Sequence, residues 1–183
     1  MPTGLKATSE PIAVSTRLTQ TVINSFVKKR IDLQLNPLDL EVFVVTGVKI
    51  DFLNMPGHKP FGAALKNFPT YEGAVSKVEP SSMPTLASSN TVGYANIMSS
   101  AETSGSPLNS TVTATIESSS TDTPPADMNY LDIIATSDFF VSIDSDQTGI
   151  DEFADVAFRV HGYRARATAA QYAALVQSEQ LSA

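Results

Sequence analysis

The chain has 183 residues, of which 42% are hydrophobic and 17% are charged. This composition can bury a core, and the length fits one ordinary domain. The formal net charge of -7 excludes a broadly basic surface of the kind that binds a nucleic-acid backbone. Because the chain contains no Cys, disulfides, thiolate metal sites and cysteine nucleophiles are excluded as well.

The first third of the chain is predicted to form strands after an N-terminal arm at residues 1–16. Arg17–Val27 is rich in Thr and β-branched residues, and apolar and polar residues alternate strictly in Arg30–Gln34, so both segments suit strands. The strongest strand is Glu41–Leu53, which is expected to begin buried on both faces and to end buried on one. Its interior phase is predicted to contain Val44, Val48, Ile50 and Phe52.

The middle of the chain, residues 71–127, is rich in Ser, Thr and Pro and is predicted to carry variable loops between strands. Three segments in it alternate well enough to be strands. They are Tyr71–Val78, Thr91–Met98 and Ser110–Glu117.

The last third returns to apolar runs at Tyr130–Ala135, Phe139–Ile143 and Ala154–Arg166, which are predicted strands. Residues 168–179 are predicted to form a helix, because Thr168 can cap its start together with Gln171. The predicted apolar face contains Ala169, Tyr172, Ala173 and Val176. A helix of this length is unstable alone in water, so it must dock on a sheet or on a neighbouring subunit.

These elements predict an all-β protein in which residues 1–183 form one domain. Eight or nine strands without strand–helix–strand alternation favour a two-sheet sandwich. An eight-stranded jelly roll with a short C-terminal helix fits the length and the long connections. An immunoglobulin-type sandwich usually needs only roughly 100 residues.

No catalytic motif is found, and the chain is predicted not to be an enzyme. The two histidines, His58 and His161, lie far apart in the sequence, and no Gly-x-Ser-x-Gly or phosphate-binding glycine motif occurs. No small-molecule substrate is therefore expected. Basic residues cluster at Lys28–Arg30 and at Arg159, Arg164 and Arg166. They fit a charged hairpin and a solvated strand face, or a local patch for nucleic acid, an acidic partner or lipid head groups.

One acidic segment, residues 144–155, has ligand-like spacing for a hard cation. Oxygen-bearing residues fall at several positions of the calcium loop of EF-hands, with Gly149 at the sixth position. The candidate calcium ligands are Asp144, Asp146, Thr148, Ile150 through its carbonyl, Glu152 and Asp155. The alternative is an acidic hairpin loop that uses Asp and Gly for its turn geometry and needs no cofactor.

Three segments together resemble jelly-roll structural proteins of tailless viruses and phages: Asn36–Val45, Val160–Arg164 and Tyr172–Gln177. The resemblance implies a virion protein that assembles with copies of itself and with other virion proteins. It also implies synthesis in a host cytoplasm, in keeping with the lack of a signal peptide at Met1–Glu10. That segment offers only Lys6 as a base, which disfavours direct genome binding and fits a shell lined by a membrane or by other proteins.

The alternative function is a non-catalytic module that binds carbohydrate or protein on the same sandwich. Sugar rings stack on exposed aromatic side chains. The chain has no Trp, so the candidates in the middle segment are Tyr71, Tyr94 and Tyr130.

Overall fold

The computed structural model describes residues 4–22, 24–54, 70–104, 111–120, 124, 128–146 and 153–181. These residues form ten strands, one short 3₁₀ turn and one helix. The elements are β1 Lys6–Ala7, β2 Ile12–Thr19, β3 Val27–Asp32, a 3₁₀ turn Pro37–Asp39, β4 Glu41–Asn54, β5 Thr70–Ser76, β6 Thr91–Ser104, β7 Thr111–Ser120, β8 Asp132–Ile134, β9 Asp138–Asp146, β10 Asp155–Arg166 and α1 Ala169–Leu181.

The strands form two antiparallel sheets of five strands each. In sheet A, β1 and β2 both pair with β10, which is followed by β4 and β8; in sheet B the order is β3-β9-β5-β6-β7. Leaving out β1 and β7, the orders are β2-β10-β4-β8 and β3-β9-β5-β6, and the chain crosses repeatedly between the sheets. This is the strand order of an eight-stranded jelly roll, so the predicted fold class is confirmed.

The main core lies between the two sheets. Its largest members with almost no exposed surface are Phe43, Phe139, Phe158, Ile134 and Ile143. A second, smaller cluster lies on the outer face of sheet A beneath α1, and contains Leu5, Val42, Val44, Ala135, Ala165 and Ala167. Sheet A is therefore buried on both faces where the helix covers it.

The N-terminal segment is largely part of sheet A. Lys6 and Ala7 pair with Arg166 and Ala165, and β2 pairs with β10 along its whole length. Much of the predicted arm, residues 1–16, is thus held in the sheet. The reason is that its apolar residues alternate as well: Val14, for example, packs against the core between the sheets.

The two strands predicted at Arg17–Val27 and Arg30–Gln34 are shifted in the structure. The first strand ends at Thr19, a turn follows, and β3 covers Val27–Asp32. Asn24 adopts the left-handed conformation with φ 52°, which a turn needs and which Asn tolerates better than most residues. Because β-branched residues lie on both sides of this turn, the sequence pattern predicted a continuous strand there.

Gln20 holds this turn against the two C-terminal strands. Its side chain is buried; its amide nitrogen donates to the Ser25 carbonyl at 2.8 Å, and its oxygen accepts from Ser145 Oγ at 2.9 Å and from the Ala154 N–H at 3.2 Å. These bonds satisfy a buried amide at both ends. They also fix the start of β10 beside the end of β9.

Relative to its neighbour β10, strand β4 contains an extra residue in its middle, Thr46, and another near its end, Leu53. Gly162 lies opposite Val45 and His161 lies opposite Gly47, so Thr46 has no opposite residue in the ladder. Such a β-bulge changes which residues of the strand face each side.

The bulge corrects the predicted interior phase of β4. Phe43 belongs to the core between the sheets together with Val48, Ile50 and Phe52, whereas Val44 lies on the outer face under α1. Val44 was therefore assigned to the wrong face, because the extra residue interrupts the period of two. The predicted change from burial on two faces to burial on one is confirmed: after Val48, the outward residues are exposed.

Helix α1 begins where the sequence predicted it. Gln171 N donates to Thr168 Oγ1 at 3.3 Å, and Thr168 N donates to Gln171 Oε1 at 3.3 Å, which is a reciprocal capping box. The docking face differs from the prediction in part. Tyr172 and Val176 contact the outer cluster, but Leu175 joins them while Ala169 and Ala173 are exposed.

The last turns of α1 are tied to sheet A by Glu179. Its side chain is buried, and its carboxylate accepts the N–H of Ala135 at 2.9 Å and the N–H of Thr136 at 3.0 Å. Desolvation raises the pKa of Glu179 above its ordinary value, although these bonds act in the opposite direction. The carboxylate satisfies two backbone donors at the end of β8 that the sheet leaves without partners.

Candidate assembly surface

The β6–β7 hairpin extends beyond the body of sheet B. Strand β6 pairs with β5 over Thr91–Met98 but with β7 over Ala95–Ser104. The last residues of β6, 99–104, are therefore paired with β7 on one side and pass the end of β5 on the other. At about 3.3 Å per residue, this part of the ladder is roughly 20 Å long.

Strand β7 is the outermost strand of sheet B. Among the residues that the structure describes, no strand pairs with its second side. Its sequence, TVTATIESSS, contains no Lys, Arg or Pro and a single acidic residue, Glu117. An edge strand of this length presents a row of N–H and C=O groups that can pair with another strand, and charges or prolines normally prevent that pairing. Strand β7 lacks these protections.

The opposite edge of sheet B, strand β3, is charged and internally paired. Lys28 Nζ lies 2.9 Å from Glu79 Oε1, Lys29 Nζ donates to Thr16 Oγ1 at 2.9 Å, and Arg30 pairs with Asp138. Lys28 lowers the pKa of Glu79 through a hydrogen bond and through its charge. Each basic residue of Lys28–Arg30 thus has a partner within the chain, which favours the charged hairpin over a patch for an external ligand.

The second basic cluster is also engaged within the chain. Arg159 Nε donates to Ser15 Oγ at 3.2 Å, Arg164 Nη2 donates to the Leu33 carbonyl at 2.9 Å, and Arg166 Nη2 lies 3.2 Å from Asp39 Oδ1. These three side chains fasten β10 to different neighbours. The structure does not bring them together into one anion site.

Three of the six candidate calcium ligands are among the described residues, and they lie in two different sheets. Asp155 begins β10 in sheet A; its carboxylate is bonded to Arg17, with 2.7 Å from Nε to Oδ1, and to Thr19 Oγ1 at 3.0 Å. Hydrogen bonding to Arg17 holds the pKa of Asp155 below its ordinary value. Asp144 and Asp146 lie near the end of β9 in sheet B.

The other three candidate ligands, Thr148, Ile150 and Glu152, lie outside the described residues. Among those that are described, no group of three His, Asp or Glu side chains is arranged to hold a metal ion. Calcium binding by this loop stays a prediction.

Asp144 has a neighbour that the sequence did not reveal. In the β5–β9 ladder it lies directly opposite Glu72, and Tyr94 Oη donates to Glu72 Oε1 at 2.9 Å. Burial raises the pKa of Tyr94, and the bond to Glu72 raises it further. Two carboxylates directly opposite each other are unfavourable unless something offsets their repulsion, and the Tyr94 hydroxyl does so for Glu72.

The aromatic residues proposed for sugar stacking are not on exposed loops. Tyr71 lies in β5 with 1% of its surface exposed, and Tyr94 is half-buried in β6. Tyr130 packs against the outer cluster beneath α1. Tyr71 and Tyr94 therefore lie on strands and not on loops, and Tyr130, which precedes β8, is held against the outer cluster.

A shallow depression of about 410 Å³ lies on the outer face of sheet A beyond the helix. Its lining includes Ser15, Arg17, Lys49, Asp51 and Arg159. Arg17 is bonded to Asp155 and Arg159 to Ser15, so the depression presents charges of both signs, two of them already engaged. The side chains that line this depression therefore do not converge on a site for one class of small ligand.

No protein-family model matches the chain, and no curated protein matches it. Among solved structures, it is similar to VP1 of Trichodysplasia spinulosa-associated polyomavirus (TSPyV), with a TM-score of 0.39 and 9% identity. The match covers 89% of this chain and 99% of the other. The jelly-roll fold of this chain follows from its own strand order, not from this similarity. In the described part of the chain, no helix is long and apolar enough to cross a membrane.

Proposed function

We propose that the chain is a virion structural protein that assembles into a shell through contacts between its β-sandwich subunits. The observation that carries this proposal is the ten-residue edge strand β7 on a hairpin that extends beyond the sheet. Among the described residues no strand pairs with its second side, and a strand that carries a single charge, Glu117, and no proline is suited to pairing with a neighbouring chain. Copies of itself and other virion proteins are the proposed partners, and the virion is the proposed location.

The rest of the surface supports a non-catalytic, structural role. The basic residues of β3 and β10 are bonded within the chain, and two of the three aromatic candidates for sugar binding, Tyr71 and Tyr130, are packed within it. Of its three candidates, the alternative of a carbohydrate-binding module therefore keeps only the half-buried Tyr94.

The test is sedimentation velocity of the full chain from low to high micromolar concentration, followed by electron microscopy of the concentrated sample. We expect species well above the 19.5 kDa of one chain and a distribution that shifts to larger species with concentration. The second measurement adds candidate partner proteins from the same virion. A chain that stays monomeric throughout, alone and with these partners, would contradict the proposal.

A further inference from the structure

Strand β7 reads almost the same in both directions about Ala114. Thr113 and Thr115 flank it, and Val112 and Ile116 follow on either side. A contact across a two-fold axis joins the same surface of two copies, so a strand that pairs with itself must be compatible with its own reversed sequence. The segment 111–117 has this property.

The apolar residues of the segment occupy alternate register positions. Val112, Ala114 and Ile116 lie opposite β6 residues 103, 101 and 99, which are in phase with Gly93 and Ala95. Gly93 faces the core: a Cβ there would lie 2.7 Å from Val48 Cγ1. By register, these three positions of β7 therefore share the phase of the interior residues of β6.

We propose that β7 pairs antiparallel with β7 of a second copy across a two-fold axis at Ala114. This inference rests on the proposed assembly function and names the surface that performs it. The two sheets B, with five strands each, would join into one continuous sheet. Ala114 would lie opposite Ala114 of the second copy, and Val112 opposite Ile116.

Neighbouring registers are less favourable. A two-fold axis perpendicular to the sheet keeps each face on its own side, so the axis must pass through a residue position. An axis at Thr115 would place Val112 opposite Ser118, which breaks the apolar pair. The axis at Ala114 keeps apolar residues opposite each other and places Glu117 opposite Thr111, so that no like charges meet.

The contact lies where a second copy can reach it. Residues 111–116 of β7 pair with residues 99–104 of β6, which is the part of the hairpin beyond β5. The protein has a net charge of -7, which opposes close approach of two copies in general. Glu117 is the only charged residue of β7, so this strand brings the least repulsion into the contact.

The test uses cysteine cross-linking of the full chain, which has no Cys of its own. In Ala114→Cys, the two thiols would lie on opposite residues of an antiparallel pair, whose Cα atoms are about 4.5 to 5.5 Å apart and within reach of a disulfide. Mild oxidation should convert most of the protein into a covalent dimer that dithiothreitol reverses. Val112→Cys is the matched control, because its two copies would be about 13 Å apart along the strands. It should yield at least tenfold less dimer.

A mixture of Val112→Cys and Ile116→Cys chains fixes the register, because these positions lie opposite each other. We expect the mixed dimer to exceed either homodimer at least tenfold. Equal cross-linking of Ala114→Cys and Val112→Cys, or absence of cross-linking in Ala114→Cys protein that still sediments as an assembly, would overturn the inference alone. A wild-type chain that is monomeric in sedimentation would overturn the proposed function with it.

Discussion

The outer face of sheet A and the β7 edge of sheet B differ in how their apolar side chains and backbone hydrogen-bonding groups are covered. On sheet A, helix α1 of the same chain covers Val42 and Val44, and Glu179 satisfies two backbone N–H groups. On sheet B, β7 has one side that no described residue of the same chain pairs with. We therefore expect the stability of the domain to depend on the first surface and the proposed assembly to depend on the second. Changes at one should leave the other property intact.

The largest expected effect comes from removing residues 168–183, which deletes α1. The half-buried side chains of Tyr172, Leu175 and Val176 are lost from the outer cluster, and Val42 and Val44 become exposed to water. We expect a loss of about 5 kcal/mol in the free energy of unfolding and a fall in Tm of roughly 10 °C or more, measured by calorimetry. An unchanged Tm would show that α1 does not stabilise sheet A.

Glu179→Ala separates the anchoring carboxylate from the rest of α1. The N–H groups of Ala135 and Thr136 would lose their acceptor, at a cost of about 2 kcal/mol in a urea titration. Gln180→Ala, at an exposed position next to it, is the control and should change stability by less than about 0.5 kcal/mol. Equal effects of the two variants would contradict the anchoring role.

Glu179 also predicts a pH dependence. Its pKa is raised by burial, so the folded state binds its proton more tightly than the unfolded state does. The stability that this proton contributes is complete below the unfolded pKa of roughly 4.3 and is lost as pH rises through the folded pKa. The stability of wild type relative to Glu179→Gln should therefore decline over that interval. A difference that is constant with pH would rule out titration of Glu179.

Thr113→Lys tests the other surface. A lysine on the free edge should weaken self-association at least tenfold, which is about 1.4 kcal/mol, without lowering Tm. Gln177→Lys adds the same charge on the exposed side of α1 and should leave association unchanged within about twofold. If both variants weaken association equally, net charge rather than strand pairing controls assembly.

The smallest effect is expected at Asp155, at the start of β10. The hydrogen bond from Arg17 lowers the pKa of Asp155, so this group stabilises the folded state above the unfolded pKa of roughly 3.9 and less as pH falls through the folded pKa. Because Arg17 is largely exposed, Asp155→Asn should lower Tm by only about 2 °C at pH 7. The difference should shrink at pH 3, and a larger difference there would contradict this account.

The sequence predicted the fold well because most of its strands bury alternate residues. The jelly roll, the strong strand at residues 41–53 and the capping box of α1 all follow from local patterns that the structure confirms. The turn at Asn24 was missed because it contains no Gly or Pro and is flanked by β-branched residues. Local propensity could not distinguish a turn from a strand there.

The sequence did not predict contacts that depend on pairing between segments distant along the chain. The opposition of Glu72 and Asp144 is a matter of register between β5 and β9, and the extension of β7 past β5 depends on three strand lengths at once. The Arg17 partner of Asp155 is equally distant in sequence. No spacing within a single segment encodes these contacts, so the sequence did not predict them.

The extra residue at Thr46 divides β4 into two parts in which different alternate residues face the core. Before it, alternate residues serve the helix-covered cluster and the core between the sheets; after it, the residues that face the core have the opposite parity. Each residue of β4 that belongs to a cluster belongs to one of the two only. Loss or gain of a single residue near position 46 would instead exchange the two sets for half of the strand, so chain length at this point is more constrained than residue identity.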